Sequence, residues 1–109
     1  MRPIKKHPIR PDRIRRPPLT GWSWIDRRFV REKAPRLDRD AILVYFFLAA
    51  VSDKDGLSYW GDSGIAAQLR LTEATVVRAR EELELQDLIA YDHPLYQVLS
   101  IQDPLQVRR

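Results

Sequence analysis

The apolar positions of this chain fall into three patterns, and each marks a different piece of structure. Between Asp62 and Ile89, residues Ile65, Ala66, Leu69, Leu71, Val76, Ala79 and Leu83 recur at helical spacing, with one change of phase between Leu69 and Thr72. Two short amphipathic helices joined by a tight turn explain that shift better than one long helix. The first is expected to start on Asp62 or Ser63 as N-cap, whose side-chain oxygen accepts a bond from a free backbone N–H, and to end near Leu69 or Arg70. Thr72 caps the second helix, Glu73 sets an acid at the positive end of its dipole, and the run to Gln86 contains neither Gly nor Pro. Val76, Ala79 and Leu83 share one face, Ala66 is small where the helices must cross closely, and Leu71 plugs the corner. The pair reads as a helix-turn-helix.

The second pattern is the run Ala41 to Val51, AILVYFFLAAV, which is apolar on every side. Asp38 begins this helix and Asp40 lies in its first turn. One packed face does not need so much apolar surface, so the helix must be covered from more than one direction. The expected cover is the stretch Trp22 to Phe29, which concentrates Trp22, Trp24, Ile25 and Phe29 and is expected to dock because exposed tryptophan is unfavourable. A second copy of the chain is the alternative cover, and a ligand pocket lined by Tyr45, Phe46 and Phe47 is a third reading. Stacking of Trp22 or Trp24 on unpaired bases is the other chemistry these rings offer. Asp26 is expected to cap a short helix, Arg27 to Lys33, which Pro35 ends.

The third pattern is strand-like. Ser52 to Gly56, SDKDG, is a turn signal in which Gly56 supplies a positive φ, and Leu57 to Trp60 follows as a short strand. Leu88 to Tyr91 and Leu95 to Ile101 read as a hairpin around Asp92, His93 and Pro94, and Asp103-Pro104 ends the sheet. His93 reads as a turn residue. Asp53 and Asp55 look like the opening of a calcium loop, but the glycine and the closing glutamate fall at the wrong places.

The segment IAAQLRLTEATVVRAREELELQDLIAY resembles the helix-turn-helix and following strand of bacterial winged-helix DNA-binding domains, as in transcriptional regulators and the N-terminal domains of replication initiators. In that family a small residue sits where this chain has Ala66, and apolar residues bracket the turn as Leu69 and Leu71 do. Ser or Thr opens the recognition helix as Thr72 does, and a Gly-Leu-Ile-like exit leads into the wing, matched here by Asp87, Leu88 and Ile89. The resemblance extends from about Leu37 to Ile101. It implies an α+β fold with a three-helix core and a small antiparallel hairpin as the wing, in which the strand Leu57 to Trp60 pairs with that wing. The family usually has Gly in the turn where this chain has Arg70, so Arg70 is expected in a left-handed conformation, at roughly 1 kcal/mol.

Charge changes the picture by its distribution. Residues 1–36 carry twelve Lys and Arg against three acids, a net of +9, whereas residues 37–109 carry seven against twelve, a net of −5. Residues 1–19 are rich in proline and have little apolar surface, so they read as an extended basic arm. Residues 20–36 form the Trp-containing segment, 37–103 the winged helix-turn-helix domain, and 104–109 a basic end with Arg108 and Arg109. The absence of cysteine excludes disulfides and thiolate chemistry, the longest apolar run is too short to span a bilayer, and no signal-type segment follows the N-terminus. The expectation is a cytoplasmic protein.

A catalytic constellation is not apparent: the two histidines lie far apart, no Gly-rich phosphate loop is present, and the series Glu81, Glu82, Glu84 reads as a solvated helix face. No enzyme activity, metal or cofactor is therefore expected. On the resemblance, Thr72, Thr75 and Arg78 face the major groove of double-stranded DNA, with Arg78 suited to guanine and Glu73 to cytosine or to the helix dipole. Arg70 and Arg80 reach phosphates, and Lys5, Lys6, Arg10, Arg13, Arg15 and Arg16 of the arm add sequence-independent affinity. Glu73, Ala74, Val77, Arg78 and Glu81 line the outward face, where Arg78 is the sole base. The expected role is DNA binding, as a transcriptional regulator or a replication or mobile-element accessory factor, with a homodimer addressing two half-sites. The alternative is a protein–protein adaptor on the same scaffold, suggested by the acidic core and by a wing tip without Lys or Arg.

Overall fold

The computed structural model of the protein describes residues 6–102; Lys5 and the end that contains Asp103, Pro104, Arg108 and Arg109 lie outside the described residues. Three α-helices and a three-stranded antiparallel sheet follow one another as α1 (Arg39–Val51), β1 (Leu57–Tyr59), α2 (Asp62–Leu69), α3 (Glu73–Leu85), β2 (Ile89–Asp92) and β3 (Leu95–Val98). The fold is α+β, with a layout compatible with the winged helix expected above.

Helix α1 supplies the centre. Its Ala41, Val44, Tyr45, Leu48 and Ala49 are buried, and they meet Ile65 and Ala66 of α2 and Val76, Ala79 and Leu83 of α3 in one core that Leu88, Ile89, Tyr96 and Ile101 close from the sheet side. Asp38 occupies the N-cap position of α1 with extended backbone, but its side chain makes no capping bond. Instead its backbone N–H donates to Glu82 Oε2 at 3.0 Å, tying the start of α1 to α3.

The apolar surplus of α1 is covered from the N-terminal side by Phe29, which is fully buried. Its ring stacks on Tyr45 at 3.8 Å between centroids and meets Phe46 edge-on at 5.5 Å. The tryptophans expected to share that task do not: Trp22 is 55% and Trp24 70% exposed. Between them Ser23 turns inward and donates its hydroxyl to the Ala49 carbonyl at 2.6 Å, so the segment docks through Ser23 and Phe29 while both indoles face solvent. The Asp26 carboxylate does accept from the Arg28 N–H at 2.9 Å. The helical stretch that follows is a π-turn, Phe29–Lys33, continued by a 3₁₀ turn, Ala34–Arg36, so Pro35 sits inside the last turn rather than ending it. Proline's missing N–H is harmless in a first turn, which explains the extension.

The turn between α2 and α3 is closed by Arg70 at φ 60°, ψ 44°, the left-handed conformation expected of it, and Leu71 N–H returns to the Ala66 carbonyl at 3.0 Å. At the start of α2, however, Gly61 holds the N-cap position rather than Asp62 or Ser63. Asp62 is the first helical residue, and its carboxylate is engaged with α3. Helix α3 ends in the same way as α2: Asp87 takes φ 61° and Leu88 N–H returns to the Leu83 carbonyl at 3.0 Å.

In the sheet the strand order is β1-β3-β2, so β3 is central. Ser58 lies opposite Tyr96 on one side of β3, and Tyr91 opposite Tyr96 on the other. The β2–β3 hairpin turns on His93 and Pro94 alone, because Asp92 pairs with Leu95. Leu88 and residues 99–102 lie just beyond the strands, with Leu99 N–H bonded to the Leu88 carbonyl at 3.0 Å.

Candidate nucleic-acid interface

The first two turns of α3 bring together most of the residues expected to meet bases. Thr72 Oγ1 accepts from the Thr75 N–H at 3.1 Å, the capping bond that starts the helix, and its hydroxyl donates to Thr75 Oγ1 at 2.9 Å. Arg78 Nη2 donates to the same Thr75 Oγ1 at 3.2 Å. At helical spacing of three, the three side chains form one hydrogen-bonded row that holds the exposed Arg78 guanidinium along the helix surface. Glu73 stands exposed in the first turn, where the helix dipole favours a carboxylate.

The surroundings of Arg78 are acidic. A groove between the start of α1 and the outer face of α3 is lined by Asp38, Asp40, Glu81 and Glu82 around Arg78 and Thr75. One cation therefore works within a rim of four carboxylates, and an approaching phosphate is repelled everywhere on this rim except at Arg78.

Arg80 does not join the phosphate-contacting set. It is 8% exposed and turned into the molecule, where Nη1 donates to Asp62 Oδ1 at 2.5 Å and to the Tyr96 hydroxyl at 2.8 Å, and its guanidinium lies 4.2 Å over the Tyr91 ring. Burial opposes its charge, but the bonds to Asp62 and Tyr96 outweigh that and raise its pKa. Burial likewise raises the pKa of the Tyr96 phenol, with Arg80 pulling the other way. A guanidinium buried and bonded in this way serves the interior rather than a phosphate. The signal was present in the sequence, since Arg80 stands four residues after Val76 and three before Leu83, on the buried stripe of α3. Its charge argued for the surface, while its position argued for the core.

Arg70 is exposed at the turn between α2 and α3, close to the start of α3. Of the arm, Lys6, Arg10, Arg13, Arg15 and Arg16 are exposed; Arg10 is bonded to Asp12 at 2.9 Å around a short turn, Pro11–Arg13. The hairpin tip presents His93, whose Nδ1 lies 2.9 Å from the Tyr91 hydroxyl. Among the described residues, no three of His, Asp and Glu converge as a metal site, and no helix is long and apolar enough to cross a membrane.

A second concavity lies toward the C-terminal end of α1, bordered by Trp24, Asp26, Tyr45, Ser52, Asp53 and Ile101. Comparison with family models, with curated proteins and with solved structures finds no match for this chain.

Proposed function

We propose that the chain is a duplex-DNA-binding module of winged helix-turn-helix type. In this reading α3 enters the major groove by its N-terminal turns, and Thr72, Glu73, Thr75 and Arg78 meet base edges. Arg70 and the arm cations lie on phosphates, and the β2–β3 hairpin is the wing. The observation that supports it most is the hydrogen-bonded row Thr72, Thr75, Arg78, which presents a pre-oriented guanidinium from the exposed start of a helix whose opposite face is core. A guanidinium in that place suits bidentate bonding to guanine O6 and N7. Such a module serves a transcriptional regulator or a replication or mobile-element factor, and two copies would address half-sites one helical turn apart.

The acidic rim of Asp38, Asp40, Glu81 and Glu82 favours a second reading, a protein adaptor on the same scaffold whose partner is basic. The two readings part on Arg78→Ala, measured by fluorescence anisotropy on labelled duplex DNA. Loss of roughly 1–3 kcal/mol of affinity, concentrated on guanine-containing sites, is expected of a base-reading arginine. Unchanged affinity on every duplex favours the adaptor.

A further inference from the structure

We propose that Trp22 and Trp24 form a stacking platform for the unpaired bases of a single-stranded nucleic acid, with the arm that precedes them guiding the phosphates. The platform uses none of the α3 residues assigned to duplex reading and shares only the arm cations with that reading, so the tryptophan and Arg78 variants tell the two apart.

Both indoles are exposed although the segment that carries them is anchored between them and again after them. Ser23 is bonded to the Ala49 carbonyl at 2.6 Å, and Phe29 is sealed into the core against Tyr45. Docking therefore leaves the two tryptophans outside while fixing their backbone to the end of α1. Large flat rings held on an anchored backbone lose little freedom when a base lies on them, and every base offers a π-face. The charge of the same stretch selects the partner. Lys6, Arg10, Arg13, Arg15 and Arg16 are exposed before the tryptophans, and Arg27 and Arg31 are exposed after them, against Asp12 and Asp26, each of which is already bonded to an arginine. An apolar protein surface would gain nothing from so many cations, whereas a polyanion with exposed rings matches both features. Asp53 and Asp55 border the cleft beside Trp24, so the phosphates run along the arm side of the platform.

The test is titration of the full chain with an oligothymidine strand, following tryptophan emission for stacking and, in a parallel titration with the strand end-labelled, its anisotropy for affinity, alongside Trp22→Ala/Trp24→Ala and Arg78→Ala proteins. Trp60 is half-buried against Phe47, with ring centroids 4.8 Å apart, so emission left in the double variant belongs to it. Expected are quenching of the wild type, loss of most of that quenching in the double variant, and affinity for the strand weakened on the order of tenfold or more. Arg78→Ala should quench as the wild type does, so a defect confined to Arg78 and duplex DNA bears on duplex reading alone. Wild-type affinity for the strand in the double variant overturns the proposal. So does a sedimentation change from dimer to monomer on removing the tryptophans with strand binding intact, which makes the surface a contact between two copies.

Discussion

Arg80 of α3 and Asp62 of α2 are joined inside the protein, Nη1 to Oδ1 at 2.5 Å, with Tyr96 of the central strand sharing the same guanidinium nitrogen. Tyr91 of β2 lies under the guanidinium plane, so one side chain links the first turn of α2, the middle of α3 and two strands of the hairpin. This contact ties α3 to both strands of the hairpin.

Replacing Arg80 by methionine keeps the length and removes the charge, leaving the Asp62 carboxylate and the Tyr96 hydroxyl without their donor. Because Asp62 retains some exposure, the loss should be about 2–3 kcal/mol, below that of a fully buried pair. The urea midpoint measures it. A loss under about 0.5 kcal/mol, the range of ordinary surface substitutions, would contradict the interior role.

Arg70 and Asp87 both close a helix at positive φ, 60° and 61°, without being glycine. Arg70→Gly and Asp87→Gly should each raise stability by roughly 0.5–1 kcal/mol, the relief of left-handed strain less the added freedom of glycine in the unfolded chain. The two sites belong to different turns, so the double variant should show the sum in thermal unfolding. On the DNA-binding reading proposed above, Arg70→Gly should also lower the salt slope of binding by about one phosphate contact, and Asp87→Gly should not.

Gly56 is required twice over. Its φ is +85°, and a Cβ there would stand 2.6 Å from the Val98 carbonyl oxygen, next to the bond that Val98 N–H makes to the Gly56 carbonyl at 2.8 Å. Gly56→Ala should cost about 2–4 kcal/mol from strain and forced separation of β1 and β3. Amide exchange at Val98 should be faster in the variant than in the wild type.

The Asp26 and Asp53 carboxylates are held below their ordinary value of 3.8. For Asp26 the cause is the side-chain bond from Arg28, followed by the Arg28 backbone N–H; for Asp53 it is the N–H groups of Leu57 and Asp55. A depressed folded value means that their stabilisation is complete above pH 4 and is lost as pH falls through the lower folded values. Stability followed by chemical denaturation should thus decline below about pH 4 on these grounds, and Asp53→Asn should flatten part of that decline. An unchanged acid slope in the variant would remove Asp53 from the account.

Much of this fold could be read from residue order. The phase change at Thr72, the absence of Gly or Pro through α3 and the turn at Gly56 depend on local physics, and the elements they predict are present. The left-handed Arg70 is expected from the resemblance, because winged-helix domains usually place Gly at that turn position, and Arg70 stands there at φ 60°. What local pattern could not resolve was competition for partners. Asp62 reads as a cap until Arg80 is brought beside it, after which its carboxylate serves α3 and Gly61 takes the N-cap position. Trp22 and Trp24 read as core by hydrophobicity, but Phe29 alone stacks against Tyr45, and the tryptophans stay outside. Of the expected base-contacting set, the row Thr72, Thr75, Arg78 follows from helical spacing. The acidic groove beside it needed α1 in place, since Asp38 and Asp40 are distant in sequence.

The salt dependence of binding to random-sequence duplex DNA decides whether this chain is the DNA-binding module proposed above. Each phosphate neutralised contributes about −0.9 to the slope of log K against log salt, so the full chain should show a steep slope and a chain lacking residues 1–18 a shallower one by several units. Arg80→Met should leave the slope unchanged, because that guanidinium faces the interior. No binding by the full chain at low salt, or binding indifferent to salt, would contradict the account.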